Sequence, residues 1–138
     1  MLRTSAEQMI RVGSLMGCKG TLDGVTLLKP TTVAEMLRNQ TSFPVVHNNQ
    51  LISQGLIFFS TTPGIPATHG QALWGHPGSD DGVSTDMWFT DDNSVGIVVL
   101  TNGDFSDVGV TGWGTSAVEH RLYEFANSFA EPETPCKG

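Results

Sequence analysis

Hydrophobic positions near the start of the chain recur at helical spacing and predict a first helix. Ser5-Ala6-Glu7-Gln8 has the form of a capping box, in which the first and last side chains each accept from the other residue's backbone N–H. Gly17 and Gly20 are expected to end the helix. The apolar side chains expected on one face are Met9, Val12 and Met16.

A second short helix is predicted after Pro30. Thr32-Val33-Ala34-Glu35 repeats the capping-box pattern. The apolar side chains expected to share a face are Val33, Met36 and Leu37. Residues 1–50 are therefore predicted to be mainly helical.

From Gly55 onward the pattern changes to short aromatic and β-branched runs, which are typical of strands. The predicted strands cover residues 55–60, 72–75, 83–90 and 95–101, with a loop at 61–70 rich in proline and glycine. Asp91-Asp92-Asn93 has the composition of a turn, so the last two strands should form an antiparallel hairpin.

A C-terminal helix is predicted at about residues 115–129, opened by a third capping box at Ser116-Ala117-Val118-Glu119. The apolar stripe expected to lie on the sheet consists of Val118, Leu122, Phe125 and Phe129. The predicted fold class is α+β, with an antiparallel sheet and flanking helices. Residues 1–138 are expected to form one unit, with 51–138 supplying the sheet and the last helix.

Charge and hydropathy restrict the classes of partner. The formal net charge is −7, which repels a phosphate backbone, so nucleic acid is not expected as a partner. No apolar run reaches the roughly 20 residues that span a bilayer, so no membrane partner is expected.

Cysteine and histidine residues give no organised metal site. His47, His69, His76 and His120 lack the spacings of known zinc motifs, so neither a metal nor another cofactor is expected. Cys18 and Cys136 could form one disulfide or remain two separate thiols, and the sequence leaves both alternatives open.

The most informative motif is His76-Pro77-Gly78, which joins a predicted strand to a loop punctuated by glycine. Together with the strand at 95–101 and Asn102-Gly103-Asp104, it resembles the C-terminal part of the serine β-lactamase and penicillin-binding-protein hydrolase family. The resemblance runs in order from Ser5 to Phe129. Its other parts are residues 5–9, 20–24, 27–30, 33–36 and 55–56. It implies the C-terminal part of a β-lactamase/transpeptidase-like fold.

Two other motifs of that family are absent from the sequence. No Ser-x-x-Lys occurs, and Thr26-Leu27-Leu28-Lys29 imitates it only at the wrong place in the order. The only tyrosine, Tyr123, is followed by Glu124-Phe125 and so gives no Tyr-x-Asn. The resemblance therefore implies the C-terminal segment of a longer serine hydrolase, inactive as this piece alone.

The resemblance assigns roles to four adjacent residues. The backbone N–H of Ser79 would be an oxyanion-hole donor, and His76 would line the catalytic site. Gly78 would let a substrate backbone approach, and Pro77, which has no N–H, favours a sheet edge. The alternative for His76 is a partly exposed histidine at a strand end that bonds a neighbouring loop.

Other polar and aromatic groups are interpreted structurally. Asp80 and Asp81 have the local composition of a turn, which is favoured over an acid/base couple. Trp74, Trp88 and Trp113 are expected to pack in the core or at its rim, with a ligand platform as the alternative.

Two functions follow as expectations. In the first, the full protein cleaves a small-molecule amide or ester through an acyl-enzyme, and the substrate, whether β-lactam, peptide or ester, is not fixed by the motifs. In the second, the chain is a non-catalytic binding or interaction module, which exposes apolar surface to a missing N-terminal portion or to self-association. The family resemblance favours a secreted or periplasmic location, which the sequence itself does not fix.

Overall fold

The computed structural model describes residues 3–42, 45–47, 50–61, 71–92, 95–103, 117–129 and 136. The helices are α1 (Ala6–Gly17), α2 (Pro30–Leu37) and α3 (Ala117–Ser128). The strands are β1 (Thr21–Leu22), β2 (Val25–Thr26), β3 (Val45–His47), β4 (Gln50–Gln54), β5 (Phe59–Thr61), β6 (Leu73–Asp80), β7 (Val83–Thr90) and β8 (Gly96–Thr101).

Helix α1 begins at the predicted capping box. The Gln8 N–H donates to Ser5 Oγ at 3.2 Å, and the Ser5 N–H donates to Gln8 Oε1 at 3.1 Å. Of the apolar side chains predicted to share one face, Met16 is buried, whereas Val12 is 39% exposed. The chain leaves the helix through Gly20, whose φ of 93° is left-handed.

Helix α2 begins earlier than predicted. Its N-cap is Lys29, Pro30 occupies the first helical position, and no side chain caps the helix. The capping box predicted at Thr32 was wrong, because proline needs no N–H partner and already has a helical φ at the first position. The predicted apolar face is confirmed, since Val33, Met36 and Leu37 all contribute to one core cluster.

The main sheet has six antiparallel strands in the order β3-β4-β5-β6-β7-β8, so every strand pairs with its sequence neighbours. Residues 1–50 were predicted to be mainly helical, but they also contain the β1–β2 hairpin and the strand β3, which pairs with β4. The α+β class with an antiparallel sheet and flanking helices is confirmed.

The strand predicted at 55–60 begins only at Phe59. Its first half forms a turn, because the Gly55 N–H donates to the Phe58 carbonyl at 2.8 Å and the Leu56 N–H donates to the Met36 carbonyl at 2.9 Å. Phe58 then packs edge-on against Phe89, with ring centroids 5.4 Å apart. The turn thus places Phe58 in the core, whereas Leu56 and Ile57 of the same apolar run remain exposed.

Strands β6, β7 and β8 form the centre of the fold. The predicted antiparallel pairing of residues 83–90 with 95–101 is confirmed, and Asp91 and Asp92 lie in the turn. Asn93 lies outside the described residues, as do 62–70 of the predicted loop. Strand β6 continues to Asp80, so the segment predicted to leave the strand at Gly75 remains in the sheet.

Helices cover both faces of this sheet. One cluster joins α1 and α2 to the sheet through Met16, Val33, Phe58, Met87 and Phe89. The other joins α3 to the opposite face through Leu73, Trp88, Val95, Ile97 and Tyr123. Alternation along each strand sends successive side chains into the two clusters.

The buried face of α3 differs from the predicted one. Phe125 and Phe129 are 61% and 68% exposed, and Val118 is also exposed. Tyr123 and Glu119 are instead buried at 0% and 1% exposure. The predicted stripe was therefore wrong for Val118, Phe125 and Phe129, whereas Leu122 packs against the core cluster as predicted. The packing of the helix on β8 selects a face that includes a carboxyl group.

Cys18 and Cys136 form a disulfide that joins the end of α1 to the C-terminal tail. This resolves the alternatives that the sequence left open. Among the described residues, no helix has the length and apolar character needed to cross a bilayer.

Candidate functional site: the open edge of strand β6

Strand β6 is paired on both sides only in its first half. Residues Leu73 to Gly75 pair with β5 and with β7, whereas His76 to Asp80 pair with β7 alone. Within the described ranges, the second half of an inner strand therefore has an open edge. We call residues 76–80 the open edge of β6; it contains all four residues that the sequence assigns to the site.

Pro77 determines which backbone groups face this edge. Residues opposite each other in an antiparallel pair alternate between those that exchange two N–H···O bonds and those that exchange none. Pro77 lies opposite Asp86 and has no N–H, so this pair belongs to the second kind. Two residues further on, Ser79 and Ser84 form a pair of the same kind.

A contact from β8 supports this assignment of the non-hydrogen-bonded pairs. The Thr101 hydroxyl donates to the Ser84 carbonyl at 2.9 Å, so the backbone groups of Ser84 face β8 and not β6. The N–H of Ser79 correspondingly points away from β7 and toward the open edge. An outward N–H on a rigid strand is the kind of donor that can stabilise a developing oxyanion.

His76 is exposed on β6. Its Nδ1 lies in hydrogen-bond contact with the carbonyl of Pro77, which can only accept, so Nδ1 carries the proton. The ring also lies against Phe59, with centroids 5.0 Å apart. The alternative predicted that His76 bonds a neighbouring loop. The observed partner is instead a carbonyl of its own strand.

The packing of β6 against β7 gives a structural reason for glycine at position 78. A Cβ atom at this position would lie 2.5 Å from Thr85 Oγ1 on the paired strand. The Thr85 hydroxyl donates to the Gly78 carbonyl at 3.3 Å. Thr85 therefore favours glycine here even without a substrate.

Two grooves in the described part of the chain lie away from this edge. One, of about 670 Å³, is lined by Met16, Val33, Leu37 and Trp74, among others. The other, of about 560 Å³, is lined by Cys18, Cys136 and residues of the β7–β8 turn. None of the four predicted site residues lines either groove. Trp88 is fully buried, as expected for packing, and Trp113 lies outside the described residues.

The turn predicted for Asp80 and Asp81 begins only at Asp81, because Asp80 is the last residue of β6. The Asp81 N–H donates to Asp80 Oδ1 at 2.9 Å, and Gly82 completes the turn with a φ of 72°. No group of three or more His, Cys, Asp or Glu side chains that could hold a metal occurs among the residues that the structure describes.

Sequence reasoning missed a buried acidic group on the other face of the sheet. Asp86 on β7 and Glu119 on α3 are both buried, and the Trp88 indole N–H donates to Asp86 Oδ1 at 3.3 Å. Burial raises the pKa of Asp86 to about 7, and the charge of Glu119 adds to this. Burial likewise raises the pKa of Tyr123 well above its usual value. The available signal was the helical spacing of Glu119, Leu122, Tyr123 and Ala126.

Comparisons of the chain with protein-family models, with curated proteins and with solved structures give no match. The function of the chain is therefore inferred from its residues and their geometry.

Proposed function

We propose that this chain is the C-terminal segment of a serine hydrolase of the β-lactamase and penicillin-binding type, and that the open edge of β6 forms one wall of its acyl-transfer site. The substrate is a small-molecule amide or ester. The observation that carries the proposal is the outward N–H of Ser79 on a strand half that pairs on one side only. The ordered sequence motifs around His76-Pro77-Gly78 support the choice of this hydrolase family.

The chemistry divides between this chain and upstream polypeptide. A serine hydroxyl from the upstream part attacks the substrate carbonyl carbon, and a neighbouring amine accepts its proton. The carbonyl oxygen gains negative charge, to which Ser79 donates its backbone N–H. The leaving group departs with the proton, and water then hydrolyses the acyl ester. The exposed His76 ring lies on the same strand, beside the open edge.

The position of Pro77 suits this role. With no N–H of its own, it leaves Ser79 as the outward backbone donor of the open edge, while its own carbonyl already accepts from His76 Nδ1. A substrate carbonyl that lies along the edge therefore meets one outward N–H, that of Ser79. Recognition by strand edges works through such main-chain bonds.

A pair of substitutions in the longer protein tests the proposal. Ser79→Pro removes the N–H, whereas Ser79→Ala keeps it and serves as the matched control. Loss of one oxyanion-hole donor typically lowers kcat by about 10² to 10³. We expect that loss for Ser79→Pro with a chromogenic cephalosporin or a nitrophenyl ester, and near-normal turnover for Ser79→Ala. Equal activity of the two variants, or steady turnover by the 138-residue chain alone, contradicts the proposal.

One observation favours the second candidate, a non-catalytic interaction module. The side chains of Val118, Phe125 and Phe129 are exposed in and just after α3. The rings of Phe125 and Phe129 contact each other, with centroids 4.6 Å apart. Apolar side chains grouped on one helix favour association with another surface. Light scattering across a concentration series tests this: growth of the apparent mass, abolished by Phe125→Ser, supports the module, and a monomer throughout opposes it.

A further inference from the structure

The sequence contains one Asn-x-Ser/Thr triplet, Asn39-Gln40-Thr41, which lies between α2 and β3. Its middle residue is not proline, which is the residue that the acceptor motif for an N-linked glycan excludes. Asn39 and Gln40 are exposed, and Thr41 is partly buried. The side chain of Asn39 is therefore accessible to a macromolecule from the solvent.

The triplet forms a local turn around the carboxamide of Asn39. The Thr41 N–H donates to Asn39 Oδ1 at 3.0 Å, which is the bond of an Asx-turn, and the Thr41 hydroxyl donates to the same oxygen at 2.8 Å. These two donors occupy both lone pairs of Oδ1. In the described part of the chain, Asn39 Nδ2 has no hydrogen-bond partner, so it is available to an incoming group.

Further hydrogen bonds hold the triplet in place. The Gln40 N–H donates to the Gln54 carbonyl of β4 at 2.7 Å, and Gln40 Nε2 donates to the Glu35 carbonyl of α2 at 3.2 Å. Arg38 donates to the Glu35 carboxylate at 2.9 and 2.7 Å and to Gln40 Oε1 at 3.2 Å. These bonds use only the middle residue of the triplet, so the outer two residues can be substituted without loss of the anchor.

The bonds to Oδ1 also favour reaction at the nitrogen. A carboxamide nitrogen is a weak nucleophile, because its lone pair is delocalised onto the carbonyl oxygen. When Nδ2 loses a proton, Oδ1 gains negative charge, and hydrogen-bond donors already aimed at this oxygen stabilise that charge. The Thr41 hydroxyl is thus placed to assist the reaction of Asn39.

The disulfide between Cys18 and Cys136 is an independent feature that agrees with such a modification. Disulfides form and persist in oxidising environments, which include the lumen of the endoplasmic reticulum. N-linked glycans are attached to proteins in that same compartment.

We propose that Asn39 is the acceptor of an N-linked glycan. An oligosaccharyltransferase supplies the glycan as a lipid-linked oligosaccharyl pyrophosphate. A bond forms between Asn39 Nδ2 and C1 of the first sugar, and the bond between C1 and the pyrophosphate oxygen breaks. The lipid pyrophosphate leaves with the electron pair, and Nδ2 gives one proton to a base of the transferase. This site does not depend on the proposed hydrolase activity.

Production of the 138-residue chain behind a cleavable secretion signal in cultured animal cells tests the proposal. The intact mass is measured for chain recovered from the cells and from the medium, before and after treatment with peptide N-glycosidase. The unaltered chain should carry the added mass of a glycan and lose it on treatment. The enzyme converts the linked asparagine to aspartate, so peptide mapping should then find aspartate at position 39.

Matched variants separate the acceptor nitrogen and the threonine hydroxyl from the turn itself. Asn39→Asp keeps an oxygen that accepts from Thr41 but has no amide nitrogen, so it should carry no glycan. Thr41→Val keeps the shape of the side chain without its hydroxyl and should lose the glycan as well. Thr41→Ser keeps the hydroxyl and should remain glycosylated.

Two results overturn the proposal. One is an unaltered chain whose mass shows no glycan in the cells or in the medium. The other is a glycosidase-sensitive glycan of unchanged occupancy in Asn39→Asp or in Thr41→Val. Neither result bears on the catalytic proposal, whose readout is substrate turnover.

Discussion

Gly78 lies in the proposed site and also against Thr85, and a double-mutant cycle separates the two demands on it. In Gly78→Ala the new Cβ would lie 2.5 Å from Thr85 Oγ1, while the other near atoms of Thr85 are 3.9 Å away. The hydroxyl must therefore rotate and give up its bond to the Gly78 carbonyl. The φ of Gly78 is not left-handed, so the backbone itself accepts alanine.

The magnitude follows from these contacts. Loss of the Thr85 hydrogen bond costs about 0.5–1.5 kcal/mol, and a displaced side-chain rotamer costs about the same again. Alanine regains about 0.5–1 kcal/mol over glycine in a strand. We expect Gly78→Ala to destabilise the chain by about 1 kcal/mol, but to stabilise it slightly in a Thr85→Ala background, where the clash is absent.

Urea unfolding, followed by tryptophan fluorescence and circular dichroism, measures the cycle. The predicted coupling between the two substitutions is about 1–3 kcal/mol. The same cost of Gly78→Ala in both backgrounds would refute the steric reasoning. In the longer protein, the stable variant that combines Gly78→Ala with Thr85→Ala tests the role of Gly78 in substrate binding alone. A loss of turnover in this variant shows that the substrate also requires a residue without Cβ at position 78.

Three further predictions concern stability. Cys18→Ser opens a loop of sequence separation 118 and should lower the free energy of unfolding by about 2–4 kcal/mol; an intact mass that does not change on reduction would show that the disulfide is absent. Gly75→Ala should cost about 3 kcal/mol or more, because its Cβ would lie 2.0 Å from the Met87 carbonyl oxygen, whereas Gly103→Ala meets no atom within 4 Å and should be near neutral; equal urea midpoints contradict this. Tyr123→Phe removes a buried hydroxyl that lacks a partner among the described residues and should raise the melting temperature, and a fall would reveal a partner for that hydroxyl.

Local signals in the sequence predicted most elements of the fold. The capping box at Ser5 and the strand composition of residues 83–90 each rest on neighbouring residues, and the helix start and the strand are both observed. The helix stripe containing Phe125 was wrong because spacing alone does not tell which of two possible faces meets the sheet. Glu119 could not be chosen for burial without knowing that Asp86 lies opposite it across the interface.

The site was predictable in part. The motif at His76-Pro77-Gly78 could be found by reading along the chain, as could the sheet-edge preference of Pro77. The end of the β5–β6 pairing at Gly75 could not, because it depends on the length of a strand that begins four residues later than its apolar run suggests. Long-range register decided which half of β6 has an open edge.

The most direct test of the account is the response of the Ser79 amide to a tetrahedral adduct. An aryl boronic acid bonds to an activated serine and places a negatively charged boronate where the oxyanion forms. In nuclear magnetic resonance spectra of the longer protein, saturating boronic acid should shift the Ser79 amide proton strongly and leave that of Ser84, which faces β8, nearly unchanged. An unmoved Ser79 amide in a protein that binds the boronic acid would contradict the proposed role of the open edge.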